Sequence, residues 1–184
     1  MSFLLPDPQW DQTQSLHVLQ GEFLVSSRED DVLTTILGSC VSTCLCDPVA
    51  KVGGMNHFLL PDCGAGQTGG LRYGSHAMEL LINGLLKMGA VKGRLQGKLF
   101  GAALMNENLV NIGKANAAFA LQFLATEGIP CVGQSLGGIK ARRIRFWPTS
   151  GKAQQLVVDA PGVPASDLRQ NLKPVMRNND VTFF

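Results

Sequence analysis

The chain has 184 residues, of which 45% are hydrophobic and 16% charged, and its net charge is +2. That length suits one domain with a real core, and the composition excludes a disordered chain. So small a net charge argues against nucleic acid or an anionic membrane as the main partner.

The opening Met1-Ser2-Phe3-Leu4-Leu5-Pro6-Asp7-Pro8 has no basic stretch followed by a long apolar one, so it does not read as a signal peptide. No apolar run approaches the ~18 residues of a membrane span, and the expected compartment is the cytoplasm. Residues 1–20 show no clear period and read as a loosely attached arm. Runs rich in Val, Leu, Thr or Phe at Glu22–Ser26, Cys40–Cys46 and Val52–Leu60 read as strands. Asp62–Gly74 is glycine-rich and reads as a loop. It lacks the Gly-Lys-Ser/Thr ending of a phosphate-binding loop.

From Ser75 to Met88 the period changes. Ala77, Leu80, Leu81, Leu85 and Met88 recur at helical spacing, with Ser75 as the N-cap and Gly89 as the stop. Leu95–Leu104 reads as a strand. Ile112–Glu127 reads as a second helix with Ala117, Ala120, Leu121 and Leu124 on one face, ended by Gly128 and Pro130. Further strands are expected at Ile129–Gln134, Arg142–Trp147 and Gln154–Val158. In the second of these, Lys140, Arg142, Arg143 and Arg145 alternate with Ile144 and Phe146, which suggests a solvated face. From Pro161 onward a polar tail follows. The organisation expected is an arm (1–20), a domain (21–160) and a tail (161–184). The fold class is α+β, a layered sandwich of mixed β-sheets with two main helices, rather than a doubly wound sheet.

Five cysteines, Cys40, Cys44, Cys46, Cys63 and Cys131, are an odd number for a disulfide framework. Cys44 and Cys46 share one face of a strand, and with His57 and Cys63 they could supply four zinc ligands by residue type. The Cys-x-Cys spacing is one short of the usual knuckle, however, which favours core packing; neither metal nor cofactor is expected.

Leu37-Gly38-Ser39-Cys40-Val41 departs most from ordinary core sequence. Glycine and serine just before a cysteine let the backbone turn sharply, present N–H groups and partly expose the thiol. A thiol nucleophile needs a nearby imidazole to take its proton. Of His17, His57 and His76, only His57 ends an apolar run that could lie beside the cysteine's strand. By spacing alone, a buried inert thiol and a structural histidine remain an open alternative.

Thr34-x-x-Leu37-Gly38-Ser39-Cys40-Val41, then Asp47, then Asn56-His57-Phe58-x-Leu60-Pro61, resembles the signature of the CheD family of chemoreceptor glutamine deamidases. The resemblance continues through Arg72-Tyr73-Gly74, Lys98-Leu99-Phe100-Gly101-Ala102-Ala103 and Asn111-Ile112-Gly113-Lys114-Ala115-Asn116, and then Gly137-Gly138, Arg142 and Gly151. It departs where Ala102 and Ala141 stand in place of glycines, and Cys44-x-Cys46 lies outside the signature. The resemblance implies a fold similar to that of toxin deamidases and a catalytic triad at Thr34, Cys40 and His57. With it go an oxyanion site of backbone N–H groups near Gly38, Ser39 and Cys40, and a thioester intermediate. The implied substrates are methyl-accepting chemotaxis receptors, with a CheC-type phosphatase as a further partner. The alternative class is a non-catalytic binding module that stimulates such a phosphatase or a receptor.

Overall fold

The structure, a computed structural model, describes residues 15–60, 69–104, 110–158 and 181–184. Ten strands form two five-stranded sheets. The first sheet runs β1 (Ser15–His17), β3 (Val32–Leu37), β8 (Ala141–Phe146), β9 (Ala153–Val158), β10 (Val181–Phe183). The second runs β2 (Phe23–Ser26), β5 (Val52–Asn56), β4 (Val41–Asp47), β6 (Gln96–Gly101), β7 (Cys131–Leu136). Each sheet is antiparallel except for one pair at an edge, β1 with β3 and β6 with β7. The parallel β6–β7 pair needs a crossover, supplied by the second helix, α2 (Val110–Thr126). With the first helix, α1 (Gly69–Lys87), it covers the outer face of the second sheet. The layers are therefore sheet, sheet, helices, in the α+β class expected.

Alternation along the middle sheet divides the core in two. Cys40, Cys44, Cys46 and Met55 face the first sheet and meet Leu33, Leu37, Ile144 and Phe146. Val41, Leu45, Val52 and Phe58 face the helices and meet Met78, Leu81, Leu85 and Leu124. Phe58 also meets Phe119 of α2 edge to face, with ring centroids 5.8 Å apart.

Several expectations need correction. Ser15–His17 of the stretch read as an arm are part of the sheet, as β1 pairs with β3, and Val18 after them is buried between the layers. At the other end, β10 pairs with β9, and Phe184 packs edge-on against Phe100. The first helix begins at Gly69, so Gly69–Gly74 is helix and Ser75 lies inside it rather than capping it. Gly70 and Gly74 continue the buried stripe of Met78, Ile82 and Leu85. A Cβ on Gly74 would lie 2.6 Å from Leu60 Cδ2, so close packing prevails over the helix-breaking tendency of glycine. The rest of that glycine-rich stretch, 62–68, lies outside the described residues, as do Cys63 and most of the tail.

The basic strand also differs from a solvated face. Ile144 and Phe146 do point inward, but Arg142 and Arg145 are buried as well. Arg142 donates to the Ser135 carbonyl at 2.6 Å and to the Gly137 carbonyl, while Arg145 lies over the Trp147 ring. Cys44 and Cys46 pack in the core between the sheets, and among the described residues no His, Cys, Asp or Glu side chains group as metal ligands.

Candidate active site

The antiparallel register of β4 with β5 pairs Cys44 with Met55 and Cys46 with Gly53. It continues past the strand ends as a bridge between Val41 and Phe58, which exchange both backbone bonds at 3.0 and 2.9 Å. In that register Cys40 and His57 are diagonal neighbours on the face turned toward the first sheet, where such pairs sit about 7–8 Å apart at Cα.

His57 is held from the opposite layer. Thr35 Oγ1 lies 2.9 Å from His57 Nδ1, and the same hydroxyl donates to the Val18 carbonyl at 2.8 Å. A carbonyl only accepts, so the single hydroxyl proton goes to Val18, and Thr35 Oγ1 accepts from Nδ1–H. The Val18 carbonyl, 3.4 Å from the same ring nitrogen, also favours a proton there. The tautomer follows: Nδ1 is protonated and Nε2 is the basic nitrogen.

Thr34, the position implied by the resemblance, does not reach His57. Its hydroxyl donates to the Ile144 carbonyl at 2.8 Å, within its own sheet. Leu33 and Leu37 are fully buried between the sheets, and Thr35 shares their side of the strand. The structure thus brings Thr35, not Thr34, to the imidazole.

The turn before Cys40 is held through its carbonyls. Ala103 N donates to Gly38 O at 2.8 Å, and Ala102 N donates to Cys40 O at 2.7 Å. Fully buried Asn116 donates from Nδ2 to Ser39 O at 3.1 Å, while its Oδ1 accepts from Leu60 N at 2.8 Å. One helix residue therefore ties the Cys40 turn to the segment after His57. Gly101 is required where β6 reaches this turn: its φ is 114°, and a Cβ there would lie 2.1 Å from Cys40 O. The next residue, Ala102, has φ 57°, a left-handed conformation in which an L side chain is strained.

Cys40 itself is 6% exposed, and its S–H donates to Gln20 Oε1 at 3.6 Å. Burial pushes the thiol up to about 11, with its own backbone amide pulling weakly the other way. The resting species is a thiol, so Cys40 could act as a nucleophile only where a base took its proton. Farther along β4, Asp47 is fully buried. Burial alone would raise its carboxyl, but Arg94 and the amides of Val91, Ala50 and Val49 outweigh it and hold the group well below the usual carboxylate range. Asp47 thereby anchors the β4–β5 hairpin that carries both Cys40 and His57.

Sequence reasoning chose Thr34 over its neighbour Thr35, and it missed Gln20 and the bracing role of Asn116. Asn116 stands in one of the motifs that carry the resemblance, but only the packing shows its two partners.

Residues 59–156 match the family described as CheD, chemotactic sensory transduction. A relative from Cereibacter sphaeroides is 52% identical over 181 residues, covering 96% of this chain and 88% of its own length. One from Caulobacter vibrioides is 47% identical over 188 residues, covering 100% and 99%. A third, from Rhizobium leguminosarum bv. trifolii, is 57% identical over 143 residues, covering 76% and 78%. All three are named "Probable chemoreceptor glutamine deamidase CheD". Among solved structures, Bacillus licheniformis YfiH is similar at a TM-score of 0.41 and 15% identity, over 61% of this chain and 49% of that one.

Proposed function

The chain belongs to the CheD family, and on that premise we propose that it is a chemoreceptor glutamine deamidase in which Cys40 is the nucleophile, His57 the base and Thr35 the residue that orients the imidazole. The observation that carries this reading is the relay from Val18 O through Thr35 Oγ1 to His57 Nδ1. It leaves Nε2 as the basic nitrogen on the face that also bears Cys40. His57 Nε2 takes the thiol proton as sulfur attacks the carboxamide carbon of a receptor glutamine. The resulting oxyanion accepts from backbone N–H groups of the Gly38–Ser39–Cys40 turn, each worth on the order of 3 kcal/mol. The imidazolium then gives its proton to the departing ammonia, and a thioester forms. Water deprotonated by Nε2 releases glutamate and restores the thiol.

Thr35 is a neutral orienter, and it stabilises the imidazolium less than a carboxylate would, so turnover is expected to be modest. No metal or organic cofactor enters these steps. Each conversion adds a negative charge to the receptor's signalling helices, which alters their packing and signalling balance. No helix among the described residues is long and apolar enough to cross a membrane. Reaction with the signalling helices assigns the work to the cytoplasm. A CheC-type phosphatase as a further partner rests on the family resemblance alone.

The test is mass spectrometry of receptors incubated with the protein. A gain of about one dalton at defined glutamines, absent with Cys40→Ser, is the expected outcome. Unchanged receptors with a folded wild-type chain, or equal conversion by Cys40→Ser, would overturn the assignment.

A further inference from the structure

The segment leading into β2 does more than supply the Val18 carbonyl. Leu19–Glu22 forms a tight turn: Glu22 N donates to Leu19 O at 3.0 Å, and Leu19 N donates to Glu22 Oε2 at 3.2 Å. Gly21 has φ 89°, the left-handed conformation that a turn of this kind asks of glycine. The turn is fastened to the base on both sides, since Gly21 N donates to His57 O at 2.7 Å and His57 N donates to Glu22 O at 3.0 Å. Its tip is Gln20, which directs its side-chain carbonyl onto the Cys40 thiol at 3.6 Å. The functional group resting on the nucleophile is therefore a glutamine carboxamide, the same group that the proposed reaction consumes.

We infer that Gln20 is a built-in substrate mimic: its carboxamide fills the subsite into which a receptor glutamine docks, and the substrate enters by displacing it. This rests on the deamidase reading above. Three features favour a placeholder over a residue that is itself consumed. The carbonyl oxygen, not the carbon, faces the sulfur, so the pose is not one of attack. The contact is an S–H donation, which keeps the proton on the nucleophile while no substrate is present. And Gln20 is exposed, next to Leu19 at 50% exposure, so the amide can swing out without disturbing the turn's backbone bonds.

The test uses the full chain and iodoacetamide, following alkylation of the Cys40 peptide by mass spectrometry in wild type and Gln20→Ala. Removing one hydrogen bond to the thiol should speed alkylation roughly three- to tenfold. Propionamide, a free analogue of the glutamine side chain, should then slow alkylation in Gln20→Ala and have little effect on wild type. On receptor substrates, KM should fall in Gln20→Ala by the same factor. Equal alkylation rates in the two proteins would overturn the inference. So would a Gln20→Ala chain that propionamide does not protect, which would make Gln20 a plug rather than an amide mimic. Conversion of Gln20 to glutamate in wild type but not in Cys40→Ser would overturn it differently, by making Gln20 a substrate. A chain that deamidates no receptor yet shows the alkylation pattern would sink the deamidase reading and leave the occupancy standing.

Discussion

Replacing Thr35 by valine keeps the shape of the side chain and removes its hydroxyl. In the resting enzyme, His57 Nδ1–H loses its nearer acceptor and keeps only the Val18 carbonyl at 3.4 Å, so the ring more readily carries its proton on Nε2, the form that cannot take a proton there. In the transition state the loss is larger, because the ring is then a cation. A hydrogen bond to a charged group is worth about 1.5–3 kcal/mol, against about 1 for a neutral pair. At 1.36 kcal/mol per factor of ten, turnover should fall roughly ten- to over a hundredfold, with much less change in receptor binding. Thr34→Val is the matched control: it removes a bond to a buried carbonyl and should cost about 1–3 kcal/mol of stability while leaving the chemistry of the folded protein near normal. The assay is ammonia release at saturating receptor, with thermal melts of both variants. A well-folded Thr34→Val that is inactive, beside a normal Thr35→Val, would refute the orientation argument and restore Thr34 to the triad.

Three further outcomes are expected. Asp47→Asn should destabilise by about 2–3 kcal/mol, lowering Tm by roughly 4–12 °C, because buried amides and Arg94 lose a charged acceptor. As the folded-state carboxyl is depressed, its contribution is complete above the ordinary value of about 3.9 and is lost as pH falls below it, so wild type and variant should converge in acid melts. Ala102→Gly should stabilise by about 0.5–1 kcal/mol in a denaturant titration by relieving the left-handed alanine; a loss would mean that the Ala102 methyl has a packing role. Iodoacetamide should modify exposed Cys131 before buried Cys40, and the Cys40 rate should climb about tenfold per pH unit toward about 11; a plateau near neutrality would mean a preformed thiolate.

How far the sequence could be read depended on whether a residue's surroundings were local. Strand β2 is marked by its own residue types and helix α2 by its own spacing and stop signals, and their bounds lie within two residues of those expected. Strand β3 was missed as a strand because almost all of it is buried on both faces, so no polar–apolar alternation marks it. The same symmetry hid the choice between its threonines. Val32, Thr34 and Ile36 make as good a face as Leu33, Thr35 and Leu37, and only the second sheet distinguishes them. Cys40 and His57 stood out because a sharp turn and an apolar run announce themselves in sequence. Gln20 could not, since its meeting with Cys40 depends on a turn held by the backbone of residue 57. The short edge strand β1 owes its place to pairing with β3 rather than to any pattern of its own.

The imidazole is held by residues from two different layers: its ring sits on the middle sheet, and its acceptor sits on the outer one. With His57 as the base proposed above, catalytic competence reports on how closely the sheets are docked, not only on whether each is intact. A fluctuation that slides or parts them by an ångström or two would leave every strand paired and the helices in place, yet would release Nδ1. Such sub-global openings cost less than complete unfolding and become populated first on warming. Heat should consequently silence the enzyme several degrees before its secondary structure melts, and cooling should restore activity without any refolding lag.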